Sequence, residues 1–149
     1  MPKTNWSELS PMQLGRYAEY YAKMEFTPYG FDVYTSEVDD HGVDFVAKKG
    51  GVFYEVQVKS IRKDSYMFIR KDKLVLDDRH LICYLRFIDG HLPEVYVFPA
   101  TVFLSPDGSL FTSRDYDGLK SAPEYGVNMN KKNYEKMQQF RAETVLSNL

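Results

Sequence analysis

The chain has 149 residues, 44% of them apolar with 12 Tyr and 10 Phe, and a formal net charge of −2. That is the length of one ordinary domain, residues 1–149, with enough apolar matter for a sizeable core. There is no apolar run of about 18 residues, which excludes a helical membrane span, and no repeat, linker or low-complexity tract.

The opening MPKTNWSELSPMQLG lacks the basic-then-apolar order of a secretory signal. A single cysteine, Cys83, cannot close an internal disulfide. Both features lead us to expect a cytoplasmic protein with a buried thiol. Ser10-Pro-Met-Gln13 reads as a helix start: Ser10 caps, Pro11 suits the first helical position and Gln13 completes a capping box. Leu14, Tyr17, Ala18, Tyr21 and Met24 then recur at helical spacing, and Pro28-Tyr-Gly30 ends the helix. Glu25 falls near the middle of the apolar stripe, which is hard to reconcile with a helix that does not fray before it.

Phe31 to Ser36 is β-prone, and Asp39-Asp-His-Gly42 is a turn. A metal cluster of Asp39, Asp40 and His41 is conceivable there, but turn chemistry is the stronger reading. Two strands follow, joined at Gly50-Gly51. Tyr66–Ile69 reads as a strand and Lys71–Leu76 as a turn or short helix. His80–Ile88 and Glu94–Phe98 read as strands, 112–128 as loop, and the residues from Asn130 onward as a final amphipathic helix. His80 and His91 stand alone and read as structural. The order is that of a mixed α/β domain.

The hairpin brings polar groups together. With Gly50 and Gly51 as the central residues of a type I′ turn, residues pair when their numbers sum to 101. Asp44 then lies across from Gln57, and Gly42 lies across from Lys59, leaving space beside the lysine. One face collects Val43, Phe45, Ala47, Val52, Tyr54, Val56 and Val58 and must lie on the core. The other collects Asp44, Val46, Lys48, Phe53, Glu55, Gln57 and Lys59. Opposed Cβ atoms are roughly 5 Å apart, so an acid, an amide and an ammonium group converge on one small volume. A solvated strand face alternates in the same way; the conjunction with Asp44, Gly42 and an acid on the preceding helix favours a site.

These residues resemble the PD-(D/E)XK nuclease superfamily, with its restriction-endonuclease-like fold, and most nearly its branch of Holliday-junction resolvases and Mrr-type enzymes. Gly15-Arg-Tyr-Ala-Glu19 matches the helix motif, Gly42-Val-Asp44 the first strand of the hairpin and Gln57-Val-Lys59-Ser60 the second. The match covers roughly residues 10 to 63. Gln57 departs from the usual acid, as in some Gln-x-Lys members. The resemblance implies a mixed α+β sandwich and a Mg²⁺- or Mn²⁺-dependent endonuclease acting on DNA. It implies Asp44, Gln57, Glu19 and the Val58 carbonyl as metal ligands. Lys59 would orient the attacking water and stabilise developing charge.

An amide brings no charge, so metal affinity falls unless Glu19 or Glu55 compensates. Glu55 reads either as a further ligand or, preferably, as an ordinary surface acid. Glu19 shares the margin of the apolar stripe with Gly15, where a glycine would let the helix approach the sheet. Residues 48–73 carry eight basic and three acidic residues. From them Lys48, Lys49, Arg62, Lys63, Arg70 and Lys71 are candidate phosphate contacts. Tyr66 and Phe68 could stack on nucleotides, although a place in the core is the stronger reading. A homodimer is compatible with cutting two strands. The alternatives are a catalytically inactive module of the same fold that binds nucleic acid or protein, an interaction protein, and a small-molecule enzyme that no motif supports.

Overall fold

The computed structural model describes residues 2–37 and 42–149, so the turn acids Asp39 and Asp40 and His41 lie outside the described residues. Helix α1 spans Pro11–Phe26 and starts where the capping box places it: Ser10 accepts from the Gln13 amide and the Gln13 side chain accepts from the Ser10 amide. A 3-10 turn over Thr27–Tyr29 follows, and Gly30 ends it in the left-handed region. Leu14, Ala18, Ala22 and Phe26 form the buried stripe.

Five strands make a mixed sheet in the order β1 (Asp32–Thr35), β2 (Phe45–Lys49), β3 (Val52–Ile61), β5 (His80–Arg86), β6 (Glu94–Pro99). The β2–β3 register runs from Lys49↔Val52 to Phe45↔Val56, the pairing expected from the Gly50-Gly51 turn. β3 and β5 are parallel, and a parallel pair needs a crossover. Residues 62–79 provide it and contain β4 (Tyr66–Arg70), which leaves the large sheet. β4 is an edge of a second, antiparallel sheet ordered β4, β8 (Glu124–Asn128), β7 (Phe111–Arg114).

The large sheet therefore has two differently covered faces. On one, α1 and the C-terminal helix α3 (Ala142–Ser147) pack on Phe45, Ala47, Val56, Leu81, Cys83 and Leu85. Phe26 meets Phe31 and Phe45 edge-on at 5.3 and 5.2 Å between ring centres, the geometry aromatic quadrupoles prefer. On the other face, Ile82, Tyr84, Tyr96 and Phe98 pack beneath the small sheet against Met67, Ile69, Phe111 and Val127. Cys83 is fully buried, and burial pushes its thiol pKa up, as expected of an inert thiol.

Three expectations change. Residues 112–128 are not a continuous loop, because most of β7 and all of β8 lie there. Gly126 looked like a loop signal but marks a close approach: a Cβ there would sit 2.2 Å from the Tyr66 hydroxyl. The C-terminal helical region is broken into α2 (Tyr134–Met137), a 3-10 turn and α3, because Arg141 turns extended (φ −55°, ψ 139°) and bridges to Tyr96 of β6. Helix α1 does not fray before Glu25. That carboxyl is half-buried, and desolvation, with Glu143 nearby, raises its pKa.

Candidate active site at the open end of the hairpin

The β2–β3 ladder stops at Phe45↔Val56. One residue earlier, the Asp44 amide donates to the Val56 carbonyl (2.9 Å) and the Asp44 carbonyl accepts from Ser36 (3.4 Å). The Asp44 carboxylate then crosses to β3 and accepts from the Val58 amide at 2.7 Å. A side chain thus continues the pairing that the main chain abandons.

Asp44 and Gln57 are therefore not an ordinary ladder pair, but they line one small pocket of about 170 Å³. Helix α1 contributes Gly15, Ala18 and Glu19; β3 contributes Gln57, Val58, Lys59 and Ser60. The residues expected to act together, Glu19, Asp44, Gln57, Val58 and Lys59, all meet there. Lys59 shares this pocket with Asp44. Gly15 does not serve close packing, since a Cβ on it would meet nothing within 4 Å. Close approach of helix and sheet comes from Ala18 and Ala22, both fully buried; Gly15 keeps one wall of the pocket low.

Gln57 is only 7% exposed. Its amide nitrogen donates to the Gly42 carbonyl (2.7 Å) and, more weakly, to the Lys73 carbonyl (3.4 Å). Two carbonyls fix which end of the amide is which. The remaining atom, Oε1, is buried and accepts no hydrogen bond from the described residues. Gly42 stands at φ +81°, and a Cβ there would lie 2.2 Å from the Gln57 amide nitrogen. The glycine makes room for Gln57, and not for Lys59 as its register suggested. This contact also explains the amide. A carboxylate at position 57 would push negative charge against two carbonyl oxygens.

The donor set is all oxygen: the carboxylates of Asp44 and Glu19, the Gln57 amide and the Val58 carbonyl. Hard cations such as Mg²⁺ prefer oxygen and need only one or two carboxylates. Consistent with so few acids, no trio of His, Cys, Asp or Glu stands at metal-holding distance among the described residues. The orphaned, buried Oε1 of Gln57 fits a cation ligand.

The basic residues do not form one patch. Lys48 lies over the Phe53 ring (5.1 Å) and Lys49 over Phe31 (5.2 Å), at the turn end of the hairpin. The Arg62 guanidinium holds the carbonyls of Trp6 and Leu9, and Lys63 lies by a separate cavity with Ser7, Ile88 and Asp89. Arg70 pairs with Asp72 (2.8 Å) and Lys71 with Asp115 (2.7 Å).

Sequence reasoning missed the Lys73 carbonyl and the partner of Glu55. His80 does not stand alone: its Nδ1 lies 2.6 Å from Asp77 and its Nε2 contacts the Glu55 carboxylate. The hydrogen bond from His80 holds the Asp77 carboxyl below its ordinary pKa. Glu55 and His80 are paired neighbours on β3 and β5, which strand alternation alone does not reveal.

No family model matches the sequence. No curated protein matches it either. Solved structures do match. Hjc, a Holliday junction resolvase from Archaeoglobus fulgidus, superimposes with a TM-score of 0.52 at 16% identity, covering 82% of this chain and 88% of that one. A bacterial homing endonuclease, I-Ssp6803I, gives 0.52 at 20% identity, covering 93% and 91%. The chain has the restriction-endonuclease-like fold. Both neighbours are nucleases by name, so this is a fold that nucleases share. In this chain the helix-and-hairpin part of that fold carries the 170 Å³ pocket. No helix among the described residues is long and apolar enough to cross a membrane.

Proposed function

We propose that this restriction-endonuclease-like chain is a metal-dependent endonuclease that hydrolyses phosphodiester bonds in DNA. The observation that carries the reading is the meeting of Asp44, Glu19, Lys59 and Gln57 in one pocket, with the buried Oε1 of Gln57 unpartnered among the described residues. Asp44, Gln57, the Val58 carbonyl and Glu19 would hold Mg²⁺ or Mn²⁺. Bound there, the cation supplies charge compensation at the phosphoryl group and a more acidic water.

The chain's own residues do the rest. The Val58 amide fixes the Asp44 carboxylate by the 2.7 Å hydrogen bond. The carbonyls of Gly42 and Lys73 hold the Gln57 amide nitrogen, which leaves its oxygen as the end that would act as a ligand. Lys59 places an ammonium group where it can donate to a water or a phosphoryl oxygen, stabilising charge as it develops. The choice of DNA rests on the names of the structural neighbours.

Plasmid, forked and four-way DNA incubated with Mg²⁺ or Mn²⁺ test this. The wild type should cut at least one of them, and Asp44→Ala and Lys59→Ala should each lose about a hundredfold or more in rate. Cleavage that survives Asp44→Ala contradicts the assignment. DNA binding without cleavage by the wild type points to the inactive module.

A further inference from the structure

A groove of about 480 Å³ runs between β3 and β4. It shares Gly42, Gln57 and Lys59 with the candidate active site, so the two are continuous. Its floor is apolar, built from Ile61, Met67 and Ile69, which are nearly buried. Its outer wall is β4, an edge strand of the small sheet.

Phe68 stands on that wall and is 52% exposed. Its strand neighbour on the same face, Tyr66, is fully employed. The Tyr66 hydroxyl bonds Glu124, its ring lies across Gly126, and the Arg114 guanidinium covers it at 4.7 Å. Among the described residues Phe68 has no aromatic or cationic partner of this kind. The fold packs one aromatic and leaves the next bare, at the mouth of a groove lined by Lys59, Arg70 and Lys73. An uncovered ring among cations suits a ligand with a flat aromatic face and a negative backbone.

We propose that this groove is a nucleobase subsite, in which one unpaired nucleotide beside the scissile phosphate stacks on Phe68. Lys59 accompanies its phosphate, and Arg70, held by its ion pair with Asp72, flanks the groove. The proposal rests on the nuclease reading and adds a substrate class to it: DNA with an unpaired nucleotide next to the cut, in preference to continuous duplex. In a duplex both faces of each base are already covered by neighbours. Only a splayed base offers a face to Phe68, and the groove has the size of a small-ligand cleft. The other occupant that an edge strand admits is an added peptide strand; the cations at the groove favour the nucleotide.

The test is equilibrium binding without divalent metal, so that no cleavage intervenes. Forked DNA with 2-aminopurine in its unpaired arm is compared with the matching duplex. The wild type should quench the 2-aminopurine. Phe68→Ala should abolish the quench and weaken binding to forked DNA about tenfold, with less than about a twofold change for duplex. Phe68→Trp should retain both signals, and Phe68→Leu, which keeps bulk but no aromatic face, should lose the quench. Unchanged quench and affinity in Phe68→Ala, equal losses on forked and duplex DNA, or no DNA binding by the wild type overturns the subsite. Asp44-dependent cleavage that ignores Phe68 would sink the subsite and spare the nuclease reading. Phe68-dependent quenching without any cleavage would do the reverse.

Discussion

The two ends of the β2–β3 hairpin share one alternating pattern and differ in what satisfies their backbone. At the turn end, Lys49↔Val52 and Lys48↔Phe53 are ordinary ladder pairs. At the open end the ladder stops, and the Asp44 carboxylate and Gln57 amide take main-chain partners in its place. A strand that pairs with itself leaves its side chains uncommitted. A strand finished by side chains fixes their rotamers and aims their remaining atoms. The lysines of the turn end lie over aromatic rings, whereas Gln57 keeps one buried oxygen without a partner among the described residues.

The comparison can be broken at its glycines. Gly42 and Gly50 both have positive φ, but a Cβ on Gly42 would meet Gln57 at 2.2 Å and the Lys73 carbonyl at 3.1 Å, while one on Gly50 would meet nothing within 4 Å. Gly42→Ala should therefore displace Gln57, cost about 2–3 kcal/mol in chemical denaturation and abolish cleavage. Gly50→Ala should cost only about 1 kcal/mol, the backbone strain alone, and leave cleavage intact. Equal effects of the two substitutions would remove the distinction between the ends.

Gln57→Glu sharpens it. The new carboxylate would be buried against two carbonyl oxygens, which disfavours its charged form and raises its folded-state pKa. The cost is absent at acid pH, where the group is protonated folded and unfolded alike. It grows as pH rises from the ordinary glutamate value through the raised one. Thermal melts at pH 7 should show a loss of about 1–2 kcal/mol that shrinks toward pH 4, partly restored by Mg²⁺.

The smallest effect lies away from the hairpin. Burial and Glu143 raise the pKa of Glu25 in the folded state. Its charge therefore costs stability above the raised pKa and nothing below the ordinary one. Glu25→Gln should raise Tm by about 1–2 °C at pH 7, with the gain gone near pH 4.

Much of the site was legible because its determinants are local. The capping box at Ser10 set the start of α1, and the Gly50-Gly51 turn set the register that brings Asp44 near Gln57 and Lys59. What stayed hidden depends on partners far along the chain. Gly126 read as loop because Tyr66, which presses on it, is 60 residues away in sequence. The break at Arg141 answers to Tyr96 of β6. The link from Glu55 to His80 exists only because β5 lies parallel beside β3. The reason for glutamine at position 57 needs the Lys73 carbonyl, delivered by the crossover between those strands.

Mn²⁺ binding to the purified protein, followed by electron paramagnetic resonance, reaches the central claim without a substrate. The wild type should bind one Mn²⁺ in a site that Asp44→Ala abolishes and Gln57→Ala weakens about tenfold, with both variants folded by circular dichroism. Binding of the same strength and stoichiometry in all three proteins would contradict the assignment of this pocket as the metal centre.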